Sequence, residues 1–150
     1  MAERARLGAA LLAALAIAAP ARADCFDWAD AGAILEQGVL HGLPPGPVHW
    51  RTGRLPFGGV HMLSAVELRW TAADGTERRQ TLFDEIQDGR PRLSVAGNRL
   101  RLRIAYCATG GPCRNVTLPY AWNRATGHFA GATPAAREAL ADACAPGPGP

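Results

Sequence analysis

The chain predicts a mainly β domain with flanking helices (α+β): a small antiparallel sheet, folded as a sandwich or open barrel and stapled by disulfides. Three observations carry that class. Residues 99–106 alternate strictly, with Leu100, Leu102, Ile104 and Tyr106 on one side and Arg99, Arg101, Arg103 and Ala105 on the other. A period of two marks a strand with one buried and one wet face. Residues 60–71 repeat the pattern, with Met62, Ser64, Val66, Leu68 and Trp70 opposed to Leu63, Ala65, Glu67 and Arg69. The turn dipeptides Asp74-Gly75, Asp88-Gly89 and Gly97-Asn98 separate such runs as hairpin turns do.

The elements follow in chain order. Arg4 and Arg6 precede an apolar run over residues 7–19. Pro20 breaks it, and Ala21-Arg22-Ala23 places small residues where a signal peptidase reads. Residues 1–23 therefore read as a secretory signal peptide. The 13-residue run is shorter than the roughly 20 residues a membrane span needs. Asp24 before Cys25 argues against lipidation. Residues 24–144 then form a single β-rich domain, and the Pro-Gly tail over 145–150 is expected to be disordered.

Trp28, Ala31, Ile34, Leu35 and Leu40 recur at spacings near three and four, so residues 26–40 predict a short amphipathic helix, against the grain of Gly32 and Gly38. Pro44, Pro45, Pro47 and Pro56, with five glycines, make residues 41–59 a long loop carrying one extended piece at Val48-His49-Trp50. Loops of that length are commonly functional. Residues 76–83 read as a returning strand near an edge, and residues 84–91 as a polar turn. Residues 91–95 pair through Gly97-Asn98 with the arginine-bearing strand. Residues 116–122 are extended, with Pro119 pointing to an edge or bulge, and His128-Phe129 returns. Thr133-Pro134 announces a helix, Thr as N-cap and Pro in the first turn, with Ala136, Leu140 and Ala143 inward.

The four cysteines, Cys25, Cys107, Cys113 and Cys144, all follow the signal segment. An even number in an exported chain predicts disulfides. Cys107 and Cys113 flank a Gly-Gly-Pro turn, which favours their pairing and leaves Cys25–Cys144 to tie the first residues to the last helix. No Cys-x-x-Cys spacing supports zinc or thioredoxin-like redox chemistry. The compartment is then periplasmic or secreted. The lysine-free composition, rich in Ala, Gly, Pro and Arg, predicts a bacterial source.

The formal net charge of +3 falls to +1 once the signal segment is removed, leaving 13 arginines against 12 acidic residues. That balance offers no case for nucleic acid. No second apolar run approaches membrane length. Ser64 and Ser94, the two serines, lie in strands and outside any Gly-x-Ser-x-Gly elbow. Without lysine there is no Schiff base. His41, His49 and His61 border the long loop, and His128 lies far along the chain; without His-x-His or His-x-x-x-His spacing they read as ordinary loop histidines. Asp84, Glu85 and Asp88 cluster in the expected turn and read as solvated charge or arginine partners.

The sharpest candidate is the stripe of Arg99, Arg101 and Arg103, spaced about 7 Å along one strand face. A planar guanidinium fork suits carboxylate or phosphate. The ordinary alternative is cross-strand pairing with Glu67 or Glu77. The expectation is a non-enzymatic exported binding module, inhibitor- or immunity-like. Arg99, Arg101, Arg103, Trp50 and Phe57 would grip an acidic protein or an anionic envelope glycan, with no cofactor, no metal and no catalytic set. Its rivals are a small metal-dependent or His/carboxylate hydrolase built on those histidines with Asp84 or Glu85, and a structural envelope component.

Overall fold

The computed structural model describes residues 25–29, 31–56, 61–107 and 111–146. The signal segment, Phe57 and the last four residues of the tail lie outside these. Eight strands follow in sequence: β1 (Ile34–Leu40), β2 (Val48–Pro56), β3 (Met62–Thr71), β4 (Glu77–Ile86), β5 (Arg92–Ala96), β6 (Arg99–Cys107), β7 (Cys113–Asn123) and β8 (His128–Gly131). One helix, α1 (Pro134–Asp142), comes last. The strands form two four-stranded antiparallel sheets in the orders β1-β2-β3-β4 and β5-β6-β7-β8. Each strand pairs with its neighbour in sequence, so each sheet is a meander.

The inner faces pack on each other as a sandwich. Val66, Leu68, Trp70, Leu82 and Phe83 of the first sheet share one buried cluster with Leu100, Leu102, Ile104, Leu118, Tyr120 and Phe129 of the second. Trp70, Trp122 and Phe129 meet edge to face within it, the arrangement aromatic quadrupoles favour. Polar bonds also cross between the sheets. The Tyr120 hydroxyl donates to the Leu82 carbonyl at 3.1 Å, and burial raises its pKa. At the β4–β8 side, the Gln80 amide donates to the Phe129 carbonyl at 2.7 Å and accepts the Phe129 N–H at 2.9 Å. Helix α1 packs on β4, β7 and β8 and closes that side. Its start is as expected: Thr133 caps it through Oγ1 to the Ala136 N–H, and Pro134 stands in the first turn.

Both disulfides form as the spacing favoured, Cys25–Cys144 and Cys107–Cys113. The first closes a separation of 119 residues, which the chain-entropy account values at about 4–5 kcal/mol. Two disulfides fit a non-cytoplasmic, oxidising compartment. Among the described residues no helix is long and apolar enough to cross a membrane.

Three expectations are corrected. The helix over residues 26–40 is instead a 3₁₀ turn, Ala31–Ala33, followed by the edge strand β1. A helix would hold Gly32 and Gly38 in its interior, at about 1 kcal/mol each. In the sheet Gly38 is an asset, because it lies opposite Trp50 and a Cβ there would meet the indole Nε1 at 3.0 Å. The long loop over 41–59 is cut down by β2, nine residues paired on both sides. Among the described residues of that segment, 41–47 turn back, around Gly42 and Gly46 at φ of 81° and 93°. The acidic run is not a turn either. Strand β4 continues to Ile86, which places Asp84 and Glu85 within it and buries Asp84.

Candidate functional site

Register builds the outer face of the second sheet residue by residue. Arg99, Arg101 and Arg103 are exposed while Leu100, Leu102 and Ile104 are buried, as the alternation predicts. On β5, Arg92 lies opposite Arg103, Ser94 opposite Arg101 and Ala96 opposite Arg99. On β7 the same three arginines face Thr117, Pro119 and Ala121. Four guanidiniums thus stand among small neighbours. Among the described residues no carboxylate comes within ion-pair distance of any of the four. The primary structure explains this: eight arginines and no acidic residue lie between Asp88 and Glu138. The expected partners are engaged in the other sheet. Glu67 is held by Arg51 at 2.8 Å, and Glu77 by Arg79 at 2.8 Å and Arg69 at 3.6 Å.

The end of the arginine strand is pinned by the crossover between sheets. The Asp88 carboxylate accepts the Cys107 N–H at 2.8 Å, and that bond chiefly holds its pKa below the ordinary value of 3.8. Beside it, buried Gln87 accepts the Ala105 N–H at 3.2 Å and donates to Ser64 Oγ at 2.7 Å. The backbone of strand β6 is therefore held by side chains at its Ala105–Cys107 end as well as by its neighbouring strands.

Of the two aromatic residues assigned to this surface, Trp50 is not on it. Trp50 belongs to the first sheet and packs half-buried against the core. Phe57 lies outside the described residues. The expected union of the arginine stripe with the 41–59 segment is not formed, because β2 carries that segment into the opposite sheet.

A cavity of about 700 Å³ lies instead on the outer face of the first sheet. Its floor is two cross-strand rows: Arg51 and Glu67, then His49, Arg69 and Arg79. Glu67 is only 3% exposed and takes the Arg51 Nε at 2.9 Å. Trp28 closes one side, its ring 4.1 Å from the Arg51 guanidinium carbon. The wall is placed by the N-terminal staple. Cys25 is bonded to Cys144, the Phe26 N–H donates to Asp84 Oδ2 at 3.2 Å, and the Phe26 ring covers Gly53. Outward orientation of Glu67 and Arg69 was legible in the alternation of β3. Trp28 and Arg51 were not, because they sit in segments read as helix and loop.

Comparison with protein-family models, curated proteins and solved structures finds no match to this chain.

The histidines do not assemble with the acids named for a hydrolase. His49 lies in the cavity row, His61 faces Asp88 at 3.4 Å, and His128 meets Trp70 edge to face. Among the described residues the one group of three metal-capable side chains is Cys25, Asp84 and Cys144. Its two sulfurs are bonded to each other.

Proposed function

We propose that this chain is a non-enzymatic, exported β-sandwich module that grips a partner carrying closely spaced anionic groups. The contact surface is the outer face of β5, β6 and β7. One observation carries the reading: Arg92, Arg99, Arg101 and Arg103 stand exposed on one sheet face with no carboxylate partner among the described residues. Like charges directly opposite each other weaken a sheet. A face that keeps them is explained by an anion supplied from outside. Arginine forks repeating about every 7 Å along β6 suit a chain of carboxylates. An acidic protein segment and an anionic glycan share that chemistry. Export, whether to a periplasm or beyond the cell, rests on the two disulfides and the signal-like residues 1–23.

Immobilised polyglutamate and polygalacturonate separate the two sources. Protein should be retained at low salt and released near about 0.3 M salt, where screening shortens to a few ångströms. The pair of changes Arg101→Glu and Arg103→Glu should abolish retention and leave the thermal midpoint within a few degrees. Retention of that variant, or collapse of its midpoint, contradicts the reading.

A further inference from the structure

We propose a second site, independent of the arginine face: the cavity on the outer face of the first sheet binds a small ring-bearing carboxylate. The charge inventory of its floor leads there. Arg51 and Glu67 neutralise one another at 2.8 Å in a largely buried pair. The next row does not balance as well. His49 lies directly opposite Arg69, and Arg69 directly opposite Arg79. The two arginines, Arg69 and Arg79, paired across the sheet in this way cost stability. Glu77 lies close to Arg79, at 2.8 Å, but reaches Arg69 only at 3.6 Å. Arg69 is 39% exposed and lines the cavity. Its planar fork is the group a ligand carboxylate would engage with two parallel bonds.

The rest of the ligand follows from the walls. Trp28 and Val39 are apolar parts of the lining. The Trp28 ring lies over the Arg51 guanidinium at 4.1 Å and 4.6 Å from the Phe26 ring, so a ligand meets the part of the indole that those two leave open. A volume of about 700 Å³ falls in the range of small-molecule sites and exceeds what a bare anion needs. A flat or chair-shaped ring against Trp28, with its carboxylate on Arg69, uses both features. The Trp28 wall follows directly on the Cys25–Cys144 bond and on Phe26 over Gly53, while the floor is placed by strand pairing. A sugar acid and an aromatic acid both present this chemistry.

Isothermal titration of the full folded protein at low salt tests the assignment. Galacturonate and benzoate are the two ring-carboxylate probes; glucose, acetate and inorganic phosphate are comparators. At least one ring carboxylate should bind saturably with Kd below about 1 mM, and every comparator at least about tenfold more weakly. Arg69→Gln should weaken that binding by about tenfold at an unchanged midpoint. Trp28→Ala should weaken it as much but with a lowered midpoint, because Trp28 also packs on Phe26. The Arg101→Glu, Arg103→Glu protein should bind as the parent does. The better probe identifies the ring as a sugar or an aromatic. The proposal is overturned if neither ring carboxylate saturates by about 10 mM. It is equally overturned if acetate or phosphate binds as tightly, if Arg69→Gln has no effect, or if the arginine-face variant abolishes the heat.

Discussion

Arg92 and Arg103 face each other across β5 and β6, both exposed. Neither has a carboxylate partner among the described residues. Directly opposed like charges cost a few tenths to about 1 kcal/mol. Arg103→Thr removes the clash and supplies a good strand former. Its thermal midpoint should rise by about 1–4 °C in low salt. The gain should vanish near about 1 M salt, where charges are screened within about 3 Å. The same change should weaken polyanion retention. A gain in stability with a loss of binding is what a binding face predicts; calorimetry at two salt concentrations that found a lower midpoint would argue that Arg103 is structural.

Gly53 is needed because Phe26 covers it: a Cβ there would overlap the phenyl ring. Gly53→Ala should cost about 1–3 kcal/mol through overpacking. Phe26→Ala should cost about 3 kcal/mol or more through lost burial. Denaturant unfolding of both variants and the double should give strong non-additivity, with the double less damaged than the sum. Strict additivity would mean that the ring does not rest on the glycine.

Gln80 joins the two sheets through both backbone polar groups of Phe129. Gln80→Leu keeps most of the volume but strands an N–H and a carbonyl. The expected loss is about 1–3 kcal/mol. Hydrogen exchange at the Phe129 amide should accelerate more than at the Leu102 amide, in the centre of the second sheet. Equal acceleration would show global destabilisation and not loss of this bridge.

Asp88 predicts a pH dependence. Its pKa is lowered chiefly by the Cys107 N–H, with His61 and Arg54 adding to the effect. A carboxyl depressed in the folded state contributes fully above its ordinary value of 3.8 and loses that contribution as pH falls through the folded value. Asp88→Asn should therefore be less stable than the parent above pH 3.8 and converge on it in stronger acid. Urea titrations across that range that showed a constant gap would count against the Asp88–Cys107 bond as the cause.

Much of the fold was legible because its signals are local. Alternation in residues 99–106 predicts β6 and its exposed arginines, since a period of two assigns each side chain to a face without reference to any other strand. Cysteine spacing predicts both bridges, and Thr133-Pro134 predicts where α1 begins. Strand β1 was not legible, and of β2 only its first three residues, Val48-His49-Trp50, were. Gly38, Gly53 and the flanking prolines have poor local propensity for a strand, and pairing with β3 overrides it. The cavity follows the same logic. Arg51, Arg69, Arg79 and Trp28 come from three strands and the N-terminal segment, so no window of sequence contains them. Residue order alone therefore determined a disulfide-stapled β domain with one charged strand. Only tertiary structure decided that the strands divide into two meanders, that Glu67 and Glu77 pair in the sheet other than that of the arginine face, and that Trp28 stands over the Arg51 guanidinium, because register and bridge geometry are set by contacts between residues distant along the chain.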